Sequence, residues 1–253
     1  MAGLKVDSGG IKQKTVWKLL FGLIFFILSV FTLYLFVQSP FFAVKEIAVE
    51  GAKTLKTQEV KQLAGIRLGS NIFVLNQAEV VSRLMLHPMV GSVEVVRKLP
   101  STVQINISER QPLALLPDQA GFVVVDCQGR YLTRVGSLVE LNLPVITGIT
   151  LPAEVIPGEA IGNAELVQFL SLLPRFSPAL MQEISEVNLS REECLSIYTL
   201  GKVEIRAGRL EHLSEHLNTL EQIVNQELKR LNQQQVEYVD MSFNGPPVIK
   251  FKQ

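Results

Sequence analysis

The stretch from Val90 to Glu109 reads VGSVEVVRKLPSTVQINISE. Its second half alternates cleanly, with Val103, Ile105 and Ile107 on one face and Gln104, Asn106 and Ser108 on the other. A period of two is the signature of a half-buried strand. Val90 to Lys98 alternates as well, and Leu99-Pro100-Ser101 between the halves is turn chemistry. The stretch therefore predicts two strands that fold back on each other, with one apolar face that something else must cover.

The cover lies upstream. Phe42 to Gly51 (FAVKEIAVEG) predicts a strand, with Val44, Ile47 and Val49 apolar and Gly51 ending it. Thr57 stands where an N-cap belongs, with Glu59 in the first turn, favourable for the helix dipole. A short helix follows through Val60, Leu63 and Ala64 and stops at Gly65. After a connector holding Gly69 and Asn71, a second helix runs from about Asn76 to Leu86. Its apolar residues are Val80, Val81, Leu84 and Met85, and Pro88 closes it. His87, just before that proline, reads as a structural cap. The order strand, helix, helix, strand, strand places two helices on one face of a small sheet.

Further towards the N-terminus, Leu19 to Val37 (LLFGLIFFILSVFTLYLFV) carries no charge. As a helix rising 1.5 Å per residue it spans about 28 Å, close to the hydrocarbon thickness of a bilayer. Lys5, Lys12, Lys14 and Lys18 precede it against a single Asp7, and no charge follows before Lys45. The positive-inside rule puts the tail in the cytoplasm and the rest of the chain outside. Trp17 and Tyr34 stand where interfacial aromatics do. A cleaved signal peptide is the rival reading. Its apolar core would be shorter, and the one plausible site, Val37-Gln38-Ser39, is followed by Pro40.

The formal net charge is zero, so with a basic tail the external part is mildly acidic, which excludes an electrostatic footprint for nucleic acid. The two cysteines, Cys127 and Cys194, match no zinc spacing and read as small buried hydrophobes, with a disulfide as the alternative.

Beyond Glu109 the chain turns β-rich. Gly121 to Cys127, a turn at Gln128-Gly129 and Arg130 to Thr133 predict a hairpin, and Pro144 to Thr147 a short strand. Ala164 to Leu173 reads as a helix stopped by Pro174. Three strands follow at Ile184–Leu189, Cys194–Leu200 and Lys202–Ala207. The longest helix outside the anchor is predicted from about Leu210 to Leu231, on a stripe of Leu210, Leu213, Leu217, Leu220, Val224 and Leu231 with Leu228 beside it. His212-Leu213-Ser214-Glu215-His216 fits the inverted zincin order H-x-x-E-H. Five-residue matches arise by chance, so the solvated flank of a packed helix is the better reading. Glu109-Arg110 reads as a junction ion pair or hydrogen-bonding hinge. No G-x-S-x-G or P-loop occurs.

An anchor followed by strand-helix-helix-strand-strand resembles a POTRA domain. The stretches VKEIAVEG, GSNIF and HPMVGSVEVVRKLPSTVQINISERQPLALL, taken in order, are similar to the FtsQ/DivIB family of bacterial cell-division proteins. The resemblance implies an α+β chain in four parts: a cytoplasmic tail (1–18), a transmembrane helix (19–37), a POTRA domain (40–111) and a β domain (112–253) with helices on a curved sheet. It implies a non-catalytic scaffold, without metal or cofactor, at the septum of the cell membrane. Its implied partners are FtsL-like and FtsB/DivIC-like bitopic proteins, with other division proteins on the POTRA domain and septal peptidoglycan synthesis as the process served. The family's partner edge, carried over to YVDMSFNG and beyond, falls on Met241, Ser242, Phe243, Asn244 and Val248. Phe243 would be the aromatic anchor or, alternatively, a core residue. Ser242 stands where many relatives are basic, and Pro246-Pro247 removes two strand donors. The rival readings are a POTRA-bearing assembly or secretion factor and a membrane-anchored metalloprotease.

Overall fold

The computed structural model describes residues 13–137, 141–152, 154–190 and 194–252. The basic tail, up to residue 12, lies outside the described residues. Helix α1, Gln13–Val37, contains the apolar stretch Val16–Val37, none of which is buried against the rest of the chain. That is long and apolar enough to cross a membrane.

The first domain follows the predicted order. It comprises β1 (Glu46–Glu50), α2 (Thr57–Ala64), α3 (Gln77–Met85), β2 (Val90–Lys98) and β3 (Thr102–Glu109). The sheet order is β1-β3-β2, with β1 parallel and β2 antiparallel to β3. Val60, Ala64, Val80 and Leu84 from the helices meet Ile47, Val95, Val103, Ile105 and Ile107 from the sheet in one core. Gln104, Asn106 and Glu94 form a hydrogen-bonded row of side chains at 2.7 and 3.1 Å.

Two helix starts differ. Asn76 caps α3, its side chain accepting from the Glu79 amide. Thr57 is not a cap. It is the first helical residue, and Lys56 before it offers no side-chain bond. The amides ahead of α2 are held from a distance instead. The Glu109 carboxylate accepts from the backbone N–H of Lys53 (2.8 Å), Thr54 (2.9 Å) and Leu55 (2.9 Å). Gly51 makes the preceding turn at φ +83°, where a Cβ would stand 2.0 Å from the Ile107 carbonyl oxygen.

The second domain is a nine-stranded sheet in the order β12-β11-β10-β9-β8-β7-β4-β5-β6. Its strands are β4 (Ala114–Asp118), β5 (Gly121–Val125), β6 (Tyr131–Val135), β7 (Val145–Thr147), β8 (Ile184–Asn188), β9 (Leu195–Thr199), β10 (Glu204–Gly208), β11 (Val236–Asp240) and β12 (Val248–Phe251). The β7–β8 pair is parallel, reached through α4 (Ala164–Leu172) and α5 (Pro178–Glu183). The β10–β11 pair is parallel too, and the crossover between them is the helical segment after Leu210. A separate core surrounds Phe169, Leu166, Ile146, Ile197 and Leu213.

The single helix predicted over 210–231 is instead broken. It consists of α6 (Leu210–Glu215), α7 (Leu217–Gln222), a π-helical turn (Ile223–Glu227) and α8 (Leu228–Arg230). His216 interrupts it at φ −111°, ψ 24°. The apolar residues of this segment face the core. Leu220, Ile223, Val224 and Leu228 keep the i, i+3, i+4, i+8 spacing of one helix face and all four are buried, and nothing in that spacing marks the wider turn. Both cysteines are free thiols, Cys127 exposed and Cys194 half-buried, so neither is the buried filler expected of it.

The domains meet at Arg110. Glu109 and Arg110 do not pair with each other. While Glu109 grips the first domain, the Arg110 guanidinium donates to the Val90 carbonyl (3.2 Å) and to Asp126 (2.8 Å) in the second. Asp126 is only 4 % exposed and also accepts from the Gln128 and Arg130 amides.

Candidate functional site

The β12 end of the large sheet is built from three strands and a helix start. Arg206 on β10 lays its guanidinium over the Tyr238 ring on β11, 3.8 Å from its centroid, with Glu204 beside it. Burial opposes the Arg206 charge, but the carboxylate of Glu204 outweighs it and holds the guanidinium's pKa above its usual value. Lys250 on β12 reaches the same ring and pairs with Glu237 at 3.3 Å. This gives a charged, aromatic face with Tyr238 at its centre.

β12 runs antiparallel to β11, Val248 opposite Asp240 and Lys250 opposite Tyr238. Just past the strand, Lys252 donates its amide to Gln235, on the β11 side. By the period of two, Ile249 and Phe251 direct their N–H and C=O groups the other way. Among the described residues no further strand continues the sheet there. Val248 and Phe251 are exposed, while Ile249 packs on the core.

The residues picked from the sequence fall in three different settings. Met241 is 2 % exposed, its amide bonded to the Arg206 carbonyl and its carbonyl to His212 Nε2 at 2.8 Å. Its side chain belongs to the core. Ser242, Phe243 and Asn244 lie in the connection from β11 to β12, not on a strand. Asp240 shapes that connection by accepting from both the amide and the hydroxyl of Ser242. Phe243 is 43 % exposed and stacks over Gly245, so it is not a core residue. Pro246 and Pro247 precede β12, and the edge begins at Val248. The outward groups of Ile249 and Phe251, and the Arg206–Tyr238 stack, are not picked out in the sequence. The only signal there is alternation over four residues.

The histidine motif is occupied otherwise. His212 holds the Met241 carbonyl, and His216 Nδ1 lies 2.9 Å from the His212 carbonyl oxygen with the two rings stacked. The pair fixes the start of the β11–β12 connection to α6. Among the described residues no three His, Cys, Asp or Glu side chains gather as a metal site. His87 closes the turn after α3, its Nδ1 accepting from the Met89 amide.

An apolar helix long enough to cross a membrane, a strand-helix-helix-strand-strand domain of POTRA type and an open-edged mixed sheet follow one another in this chain. Residues 42–110 match the POTRA domain of FtsQ type, and residues 114–242, more than half of the chain, match the C-terminal domain of cell division protein FtsQ/DivIB. The chain belongs to the FtsQ/DivIB family of cell division proteins. It is 28 % identical to the cell division protein FtsQ of Geotalea daltonii, over 84 % of this chain and 77 % of that one. It is 26 % identical to the cell division protein DivIB of Clostridium botulinum strain Hall, over 94 % and 92 %. The major extracytoplasmic domain of Geobacillus stearothermophilus DivIB superposes loosely, at 17 % identity and a TM-score of 0.34, over 47 % of this chain and 96 % of that one.

Proposed function

We propose that this protein is a non-catalytic scaffold of the septal division machinery. On this reading α1 spans the cell membrane once, with the lysine-rich tail in the cytoplasm and both domains outside. The scaffold holds FtsL-like and FtsB/DivIC-like bitopic proteins and so helps govern septal peptidoglycan synthesis. The charge asymmetry around α1 supports the orientation. The use of His212 and His216 as backbone ties supports a structural role for the one motif that reads as catalytic. Division into a POTRA part over 40–111 and a β part over 112–253 fits the two separate cores.

The observation that carries the reading is the open β12 edge. Ile249 and Phe251 offer backbone groups to an incoming strand, and exposed Val248, Phe251 and Phe243 flank it. Strand addition supplies affinity through main-chain bonds and specificity through neighbouring side chains. Ser242 and Asn244 border the anchor Phe243, and Met241 positions the connection from within the core.

The test is binding of the full chain in nanodiscs to the FtsL- and FtsB-like proteins of its own organism. Phe243→Ala removes the aromatic anchor. Phe251→Pro removes an outward donor that the sheet itself does not use, and an edge strand tolerates it. Tight wild-type binding lost in both variants, with unchanged thermal unfolding, supports scaffold and site together. Binding retained in both moves the site away from this edge. No wild-type binding with folded partners removes the scaffold reading.

A further inference from the structure

We propose that the α1-facing end of the first domain is a lipid-binding surface, which docks this domain end-on against the leaflet that α1 leaves. This rests on α1 crossing the membrane.

The connector between α2 and α3 is tied to the end of α1. The Asn71 side-chain amide donates to the Val37 carbonyl at 2.7 Å, and its oxygen accepts from the Phe73 amide at 2.9 Å. The Ile72 amide donates to Phe42, Val44 to Ser70, and Gly69 to Val44. The rings of Phe36, Phe41, Phe42 and Phe73 follow one another at centroid separations of 5.0–6.2 Å. The connector is therefore held at the level where the apolar helix stops.

That level is where its side chains are hard to account for in water. Val74 is 82 % and Leu68 65 % exposed, with Phe41 and Phe73 exposed beside them. Leu99 joins them from the β2–β3 turn, which sits at the same end because the Ser101 carbonyl accepts from the Lys45 and Glu46 amides. Segments 38–45, 65–76 and 97–102 carry Lys45, Arg67, Arg97 and Lys98 and not one Asp or Glu. Arg97 is committed to the Leu75 carbonyl at 2.6 Å, and the other three are exposed. Apolar side chains fringed by cations, at the height of a helix end, match the boundary between acyl chains and anionic headgroups. The far end of the domain differs. There Leu86 is exposed, one helix length or about 13 Å from the connector, near His87, Glu59 and Glu109.

Trp17 is the only tryptophan, so single-tryptophan probes are direct. The full chain is reconstituted into vesicles of phosphatidylcholine and phosphatidylglycerol with brominated acyl chains, and quenching is read against unbrominated vesicles. Wild type reports on α1. Val74→Trp and Leu86→Trp, each with Trp17→Phe, report on the two ends of the domain. The expected result is strong quenching of Trp17 and of the Val74→Trp probe, and none of the Leu86→Trp probe. Adding Lys45→Glu, Arg67→Glu and Lys98→Glu should weaken quenching of the Val74→Trp probe. Quenched Trp17 with an unquenched Val74→Trp probe overturns the docking and leaves the anchor standing. An unquenched Trp17 overturns the anchor and the docking with it. Equal quenching of both domain probes overturns the assignment to one end. If the Val74→Trp probe is unquenched by lipid and shielded from acrylamide only when division proteins are added, a protein covers this surface and the proposal falls.

Discussion

Replacing Glu109 tests whether one carboxylate clasps the turn ahead of α2. Its two oxygens receive four contacts from three consecutive amides, Lys53, Thr54 and Leu55, more than fifty residues away in the chain. A hydrogen bond to a charged group contributes about 1.5–3 kcal/mol, and water can replace part of this set, so Glu109→Ala should cost about 2 kcal/mol. Glu109→Gln keeps one acceptor and should cost about half as much, roughly 1 kcal/mol. For a domain of this size 2 kcal/mol lowers the unfolding midpoint by about 8–16 °C. Burial of the carboxyl works against its charge, but the three amide bonds outweigh it and hold the Glu109 pKa below the usual glutamate value. The stabilisation is therefore complete above the unfolded pKa of about 4.3 and is lost as pH falls through the depressed folded value. The assay is amide hydrogen exchange at residues 53–55 alongside thermal unfolding of the full chain, at pH 7 and at stepwise lower pH. Faster exchange in Glu109→Ala at pH 7, with the difference from wild type closing in acid, is the expected outcome. Equal exchange in both proteins at pH 7 would refute the clasp.

Asp126→Ala leaves Arg110 without its buried partner and should cost about 3 kcal/mol, read by chemical unfolding. It should also broaden the distances between spin labels placed in the two domains. Phe169→Ala empties the centre of the second core and should cost about 3–5 kcal/mol. Protection of the Ile105 amide in the first core should persist where that of Ile197 is lost, and loss of both together would show one cooperative unit. Gly51→Ala puts a methyl group 2.0 Å from the Ile107 oxygen at positive φ and should destabilise the first domain by more than about 1 kcal/mol in thermal unfolding.

The first domain is legible in the sequence because its sheet packs one apolar face on the helices, so Val103, Ile105 and Ile107 alternate with Gln104, Asn106 and Ser108. The second domain hides more. β4 contains Pro117, which argues against an interior strand. The structure accommodates it because β4 meets β7 only at Leu115, leaving no ladder bond for residue 117 to supply. α5 is short, but Ser177 capping it with Pro178 behind was a readable signal. The leucine stripe after Leu210 conceals a π turn, since Leu220, Ile223, Val224 and Leu228 keep the spacing of an unbroken helix. As for the site, a four-residue edge strand carries too little pattern to show which of its backbone groups face outward. The likeness places Ser242, Phe243 and Asn244 on the partner edge, whereas the structure has them in the connection that precedes β12. The ties made by Glu109, Arg110 and His212 join residues far apart in the chain, and nothing local in the sequence marks them.

The order of the large sheet has a mechanical corollary. The chain enters at β4 and its open edge is β12, six strands away, about 29 Å at roughly 4.8 Å per strand. The sheet is thus a lever whose fulcrum is the Arg110–Asp126 bond and whose tip is Val248 to Phe251. A turn of about 10° at the fulcrum would sweep the tip through about 5 Å, roughly one strand spacing. Stiffness at one arginine therefore governs how far the tip wanders relative to the first domain.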